Sequence, residues 1–270
     1  MPELPEVETT VRAISPVITG LKLKNTVIRN RNLRWKITSG IDKLKDVKIK
    51  SVSRRAKYIL LNTDQGSIMI HLGMSGRLSI LDYGKTPGKH DHVDFIFNKN
   101  VVLRYTDPRR FGSVLLITEN LEEHPLLSNL GPEPLSKEFT TKYLYDITRN
   151  RKAIIKQLIM NHKIVVGVGN IYANEALFLA RLSPLRKSYT LTKSECQKLI
   201  HSIRTVLKQA IKKGGTTLRD FRSPGGNFGY FVQKLLVYGR ENKPCVKCGN
   251  PIVVERKNQR STFFCVKCQK

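Results

Sequence analysis

Apolar residues recur at three- and four-residue intervals near the start of the chain, at Val7, Val11, Ile14 and Ile18. That spacing predicts a helix with one buried face, ending near Gly20. From about residue 22 to residue 118 the pattern shifts to period two. Val47-Lys48-Ile49-Lys50-Ser51-Val52 alternates apolar with polar, its polar face mostly basic, which predicts a half-buried strand. Tyr58 to Leu61, Ile68 to Leu72, Val93 to Phe97, Val101 to Tyr105 and Val114 to Ile117 are further strand candidates. Short strands at such close spacing predict a sandwich or a barrel.

Gly131-Pro132-Glu133-Pro134 interrupts this pattern and marks the expected domain boundary. Beyond it the apolar spacing is helical. Phe139, Tyr143, Leu144 and Ile147 fit one helix, Ile154, Ile155, Leu158 and Ile159 a second, and Ala173 to Leu179 a third. Thr192-Lys-Ser-Glu195 is a capping box, with Leu199, Ile203, Val206, Leu207 and Ala210 on one face behind it and Gly214-Gly215 as the stop. Residues 216–230 are rich in Gly and Phe and have no period, so they read as a mobile loop. A four-cysteine module follows from residue 235. The expected architecture is α+β: residues 2–131 as a helix plus β-sandwich, 132–230 as a helical domain, and 235–269 as a metal-bound finger.

Charge narrows the function. Lys and Arg outnumber Asp and Glu by 48 to 21 in 270 residues, a net +27. A field of that sign favours a polyanion. No apolar run approaches a membrane span, no signal peptide is visible, and neither a basic amphipathic helix nor a lipidation motif is present. Nucleic acid therefore leads over a membrane surface. Cys245-x-x-Cys248 and Cys265-x-x-Cys268 are separated by sixteen residues, and without a secretion signal they read as one closed, structural tetrahedral zinc site. Pro251 to Phe264 between them reads as two strands and a basic turn presenting Arg256, Lys257 and Arg260. Cys196 stands alone, as a buried small apolar residue.

Several short segments carry chemistry. In Met1-Pro-Glu-Leu-Pro-Glu-Val-Glu8 the small second residue favours removal of Met1, which would expose Pro2 as a free secondary amine beside Glu3. An amine next to an acid is a catalytic pairing, although proline near a helix start is also ordinary. Lys57 opens an apolar strand. His71-Leu-Gly-Met-Ser-Gly76 and Asp107-Pro-Arg-Arg-Phe-Gly112 are loops that combine glycine, polar groups and a large apolar residue. Met74 and Phe111 are either core or wedges for a base stack. Gly167-Val-Gly169-Asn170 precedes a helix, and reads either as a tight turn or as a phosphate-binding helix start.

These segments, in this order, resemble the formamidopyrimidine-DNA glycosylase family of bacteria. The likeness rests on Pro2-Glu-Leu-Pro-Glu-Val-Glu-Thr, Arg55-Ala-Lys-Tyr58, His71 to Gly76, Lys89-His-Asp-His92, Thr106 to Gly112, Gly167 to Tyr172 and the four cysteines, and spans residues 2–269. The related endonuclease VIII group typically has Gly where Leu4 stands here. The resemblance implies a β-sandwich, a helix–two-turns–helix domain and a zinc-finger hairpin with one structural Zn2+. It implies excision of oxidised purines, chiefly 8-oxoguanine and formamidopyrimidines, from double-stranded DNA, followed by strand cleavage. By the same resemblance Pro2 is the nucleophile, Glu3 the acid that opens the sugar, Lys57 a catalytic lysine and Arg260 the phosphate-bound finger arginine. His90, Arg109, Arg151 and Asn170 match DNA-contacting positions, and Met74, Arg109 and Phe111 fill the space of the flipped base. Arg219 stands in the loop over the lesion where the family often has Lys. A cytoplasmic, nucleoid-associated bacterial monomer without membrane contact is expected. An architectural DNA binder would share the charge and the zinc, but would not need Pro2, Glu3 or Lys57.

Overall fold

The computed structural model describes residues 2–216, 235–257 and 260–270; Arg219 and most of the Gly- and Phe-rich segment lie outside the described residues. The chain forms two compact units. The first is built on residues up to Ser128 and takes in the chain again at Lys213; the second holds Asn129–Lys212 and the chain from Phe231 onward.

In the first unit, α1 (Leu4–Ile18) is followed by nine strands: β1 (Lys22–Ile28), β2 (Val47–Lys48), β3 (Ser51–Arg55), β4 (Tyr58–Asn62), β5 (Ser67–His71), β6 (Arg77–Asp82), β7 (Asp91–Phe97), β8 (Val101–Thr106) and β9 (Ser113–Ile117). They pair antiparallel in two sheets, β2-β1-β7-β8-β6 and β3-β4-β5-β9. Leu23, Phe95 and Leu103 from the first sheet and Ile59, Ile68 and Val114 from the second share one core with Val7, Val11, Ile14 and Ile18 of α1. The sandwich expected from the period-two pattern is present, and the helix spacing identified its buried face.

The alternating stretch 47–52 is not one strand. Val47 and Lys48 pair with β1, whereas Ser51 and Val52 pair with β4 in the other sheet. The chain changes sheet at Ile49-Lys50, so unbroken alternation on the page conceals a corner. Strands β1 and β6 were not anticipated. In β1 the register shifts between Leu23 and Asn25, which spoils the period.

The second unit contains α2 (Thr141–Arg149), α3 (Ile155–Ile159), α4 (Asn170–Leu179), α5 (Lys193–Lys212) and the hairpin β10 (Val253–Lys257)–β11 (Arg260–Phe264). Phe139 is fully buried but precedes α2, whose N-cap is Thr140. The Thr192–Glu195 box closes as expected: Glu195 N donates to Thr192 Oγ1 at 3.2 Å and Thr192 N to Glu195 Oε2 at 2.8 Å. Helix α4 is buried from Ile171 to Phe178, polar Asn174 and Glu175 included, and packs against α3, α5 and β11. No helix among the described residues is long and apolar enough to cross a membrane.

Candidate active site and metal centre

The N-terminal segment is held where helix geometry needs it. Glu3 is the N-cap of α1 and only 3% exposed, and Pro2 before it is buried. The backbone N–H of Glu3 donates to Glu6 Oε2 at 2.8 Å, which satisfies one of the donors a helix start leaves open. Glu6 Oε1 accepts from the backbone N–H and the hydroxyl of Thr216, at 2.7 and 2.8 Å. Gly215 lies at φ +81°, and a Cβ there would come within 2.9 Å of Glu6 Oε1. Glu6, which sequence reasoning passed over, therefore ties the start of α1 to the chain at Thr216.

Lys57 is not the first residue of a strand but sits in the two-residue turn between β3 and β4, because Arg55 pairs with Tyr58. That turn is anchored to α1. Arg54 Nε donates to Glu8 Oε2 at 2.9 Å, and Arg54 Nη1 donates to the Ala56 carbonyl, also at 2.9 Å. Burial opposes the charge on Glu8, but Arg12 and Arg54 prevail and hold its carboxyl below the usual range. His71 pairs across the sheet with Tyr58, the residue after Lys57. Burial above all, then the charges of Lys57 and Arg34, push its pKa down to about 4. A neutral ring results near pH 7, and its Nδ1 accepts from Gly73 N–H at 3.0 Å.

Met74, His90, Arg109 and Phe111 occupy loops of the same unit. Phe111 is 46% exposed, unusual for a phenyl ring in a unit with an ample core, and the Arg109 guanidinium stacks on it at 4.8 Å. Met74 and His90 are half-buried.

In the second unit Asn170 and the finger meet. Asn170 opens α4, with Gly169 as N-cap and Gly167 at φ +78°. Its Nδ2 donates to the Ser261 carbonyl at 3.1 Å, and its buried Oδ1 has no partner among the described residues. Arg260, exposed, is the residue before Ser261 and opens β11. Lys156, 3% exposed, donates to the Ser261 carbonyl and Thr262 Oγ1, both at 2.9 Å. Asn174 Oδ1 accepts from Phe263 N–H at 2.9 Å. Glu175 accepts from the backbone N–H groups of Leu236, Val237 and Tyr238 at 2.8 to 3.0 Å. Burial pushes the Glu175 carboxyl up while those three amides pull it down. Asn174 and Glu175 were legible only as two polar residues in an otherwise apolar helix. Arg151, exposed, follows α2, and its carbonyl accepts from Ser188 Oγ at 2.9 Å.

The four cysteine sulfurs lie within 4.8 Å of one another, with Cys245–Cys268 at 3.9 Å and Cys248–Cys265 at 3.4 Å. A tetrahedron with metal–sulfur bonds of about 2.3 Å has edges of about 3.8 Å. The donor set fits one zinc ion and leaves no open coordination position. Cys245 and Cys265 are also buried against Phe178 of α4, so the site is seated on the helical unit.

Three family models match the chain in order: the formamidopyrimidine-DNA glycosylase N-terminal domain over residues 1–114, its helix–two-turns–helix domain over 130–222, and the zinc finger found in FPG and IleRS over 242–270. The chain is 52% identical to a formamidopyrimidine-DNA glycosylase of Hydrogenovibrio crunogenus, covering all of this chain and 97% of that one. It is 51% identical to that of Proteus mirabilis, covering 100% and 98%. Among solved structures it matches the MutM (Fpg) protein of Thermus thermophilus with TM-score 0.89 at 37% identity, over 99% and 98% of the two chains. It matches Lactococcus lactis Fpg in complex with abasic-site DNA with TM-score 0.92 at 32% identity, over 99% of each chain. With its sandwich, its helical unit and its four-cysteine zinc finger, the chain belongs to the formamidopyrimidine-DNA glycosylase family, DNA glycosylases of base-excision repair.

Proposed function

We propose that this chain is a bifunctional DNA glycosylase and abasic-site lyase that removes oxidised purines through Pro2 and then cleaves the strand. The observation that carries the reading is the setting of Pro2 and Glu3. Both are buried at the start of α1, the same helix to which Glu8 and Arg54 anchor the Lys57 turn.

An α-amino group titrates at about 7.7–8.0, so a Pro2 nitrogen freed of Met1 is substantially neutral near physiological pH, while an ordinary lysine is not. Its attack on C1′ forms the C–N bond as the base leaves. Glu3 protonates the ring oxygen, and the sugar opens to an iminium. A secondary amine gives an iminium with no N–H proton to lose, so it stays cationic and acidifies the C2′ hydrogen. β-Elimination then breaks the 3′ bond and δ-elimination the 5′ bond. The target nucleotide must leave the stack first, which costs a few kcal/mol, and Met74, Arg109 and Phe111 fill the space it vacates. His90, Arg151, Asn170 and Arg260 hold phosphates, Arg260 beside the δ-elimination. Arg219, outside the described residues, is assigned to the loop over the lesion. The substrate is duplex DNA carrying an oxidised purine, and the protein acts as a cytoplasmic, nucleoid-associated monomer.

The test is made at the N-terminus. Protein with Met1 retained should bind an 8-oxoguanine duplex yet show no excision, and the processed protein should give a borohydride-trapped adduct mapping to Pro2. An adduct on Lys57, or undiminished excision by uncleaved protein, would overturn the assignment. Comparing 8-oxoguanine opposite C with thymine glycol tests the purine preference.

A further inference from the structure

The residues assigned to the vacated base space sit on two corners of the sandwich. Residues 72–76 carry the chain from β5 to β6, and residues 107–112 carry it from β8 to β9. Strands β5 and β9 are neighbours in one sheet, and β6 and β8 are neighbours in the other. The two crossings therefore run side by side. Their backbones touch: a Cβ on Gly73 would lie 2.4 Å from the Phe111 carbonyl carbon, and one on Gly112 would lie 2.4 Å from the carbonyl oxygen of His71, the residue before the other crossing.

One carboxylate binds both crossings together. Asp107 is fully buried. Its Oδ1 accepts from Ser75 Oγ at 2.7 Å, on the other crossing, and from Arg109 N–H at 3.3 Å. Its Oδ2 accepts from Gly112 N–H at 2.9 Å and from the Tyr105 hydroxyl at 3.1 Å. The backbone of the same residue reaches a third loop. Asp107 N–H donates to the His90 carbonyl at 3.0 Å, and His92 Nε2 donates to the Asp107 carbonyl at 2.8 Å. Among the described residues, His90 and Arg109 thus bond Asp107 through their own backbones, and Met74 and Phe111 are the chain neighbours of Ser75 and Gly112, which bond it as well.

We propose that Asp107 is a positioning residue for lesion extrusion, fixing Met74, Arg109 and Phe111 as one preformed wedge, so that the stack opens without the cost of ordering two loops. This rests on the glycosylase reading given above. A wedge that must order itself on binding loses part of its insertion energy to that ordering. A carboxylate with two acceptor oxygens suits the role, because four donors converge on it and an amide in its place would set an N–H2 against two of them. The chemistry at Pro2 involves none of these bonds.

The experiment compares two reactions on otherwise identical duplexes, excision of 8-oxoguanine opposite C and cleavage at a preformed abasic site. Asp107→Asn should lower single-turnover excision by about tenfold or more, and abasic-site cleavage, which needs no base extruded, by less than about threefold. The excision defect should shrink when 8-oxoguanine is placed opposite a gap, where unstacking costs less. Ser75→Ala removes only the two bonds of the Ser75 hydroxyl across the crossings, to Asp107 Oδ1 at 2.7 Å and from Arg109 N–H at 3.2 Å. It should show the same pattern more weakly, and it carries the test should Asp107→Asn fail to fold. Equal losses on both reactions, or excision unchanged in both variants, would overturn the proposal. A wild-type protein that excises no oxidised purine would overturn the functional reading as well, and is recognised by the control lane alone.

Discussion

The sandwich corners and the cysteine ribbon both present residues from short segments, yet they are held by different physics. The corners lie over a core shared by two sheets and a helix, and a buried carboxylate with four donors organises their loops. The ribbon has almost no core of its own. Four thiolates gather around a metal site, and Lys156, Asn174 and Glu175 dock it onto the helical unit. A segment with enough apolar neighbours can rely on hydrogen bonds, because burial has already excluded water. A segment without them needs a metal, since an unaided two-stranded hairpin is marginal in water.

The largest effect should come from removing the metal. Zinc binding in sites of this kind stabilises by on the order of 10 kcal/mol. Cys268→Ser should take zinc content from one per chain to near zero and weaken duplex binding by about tenfold or more. The single tryptophan, Trp35, lies in the sandwich unit and offers an independent reporter. Its unfolding transition should stay where it was, so unchanged DNA affinity, or a shifted Trp35 transition, would break the contrast.

A smaller effect is expected at Glu175. Glu175→Ala removes the acceptor of three amides, that of Val237 buried and those of Leu236 and Tyr238 partly so, and should destabilise the second unit by about 3 kcal/mol. Glu175→Gln should recover part of this, because one carbonyl oxygen remains. Hydrogen exchange at residues 236–238 would register the loss, and Trp35 fluorescence would not.

The smallest effect sharpens the other side of the comparison. His71 has a folded pKa of about 4 against an ordinary value of 6.5. Between those pH values the unfolded chain takes up a proton that the folded chain refuses, so stability rises with pH across the window and levels off above it. The loss from pH 7 to pH 4.5 should be on the order of 1–2 kcal/mol, followed at Trp35. His71→Asn should flatten the profile above pH 4.5. A profile that keeps its slope would place the titration elsewhere.

The legible parts of this molecule were those marked by a pattern of residues close together in the chain. Apolar spacing exposed the inner face of α1, capping chemistry marked the start of α5, and cysteine spacing defined a metal site. Asp107, Glu6 and Glu175 were not legible. Each is a carboxylate that also binds a partner far along the chain, Ser75, Thr216 and residues 236–238 respectively, and no local period marks such a link. The corner at Ile49-Lys50 was hidden for a related reason: period two reports burial on alternate sides and not which sheet receives them.

By itself the sequence determined most of the elements, the buried face of α1, the polyanion partner implied by a +27 charge and the identity of the metal ligands, because these follow from local spacing and summed composition. Only the tertiary structure decided that Lys57 rides on a turn anchored to α1, and that Met74 and Phe111 stand on adjoining corners bound by one carboxylate. Those facts depend on which strands pair and which buried charge finds which donor. That choice is made by packing and desolvation over the whole unit, not by any stretch of chain read alone.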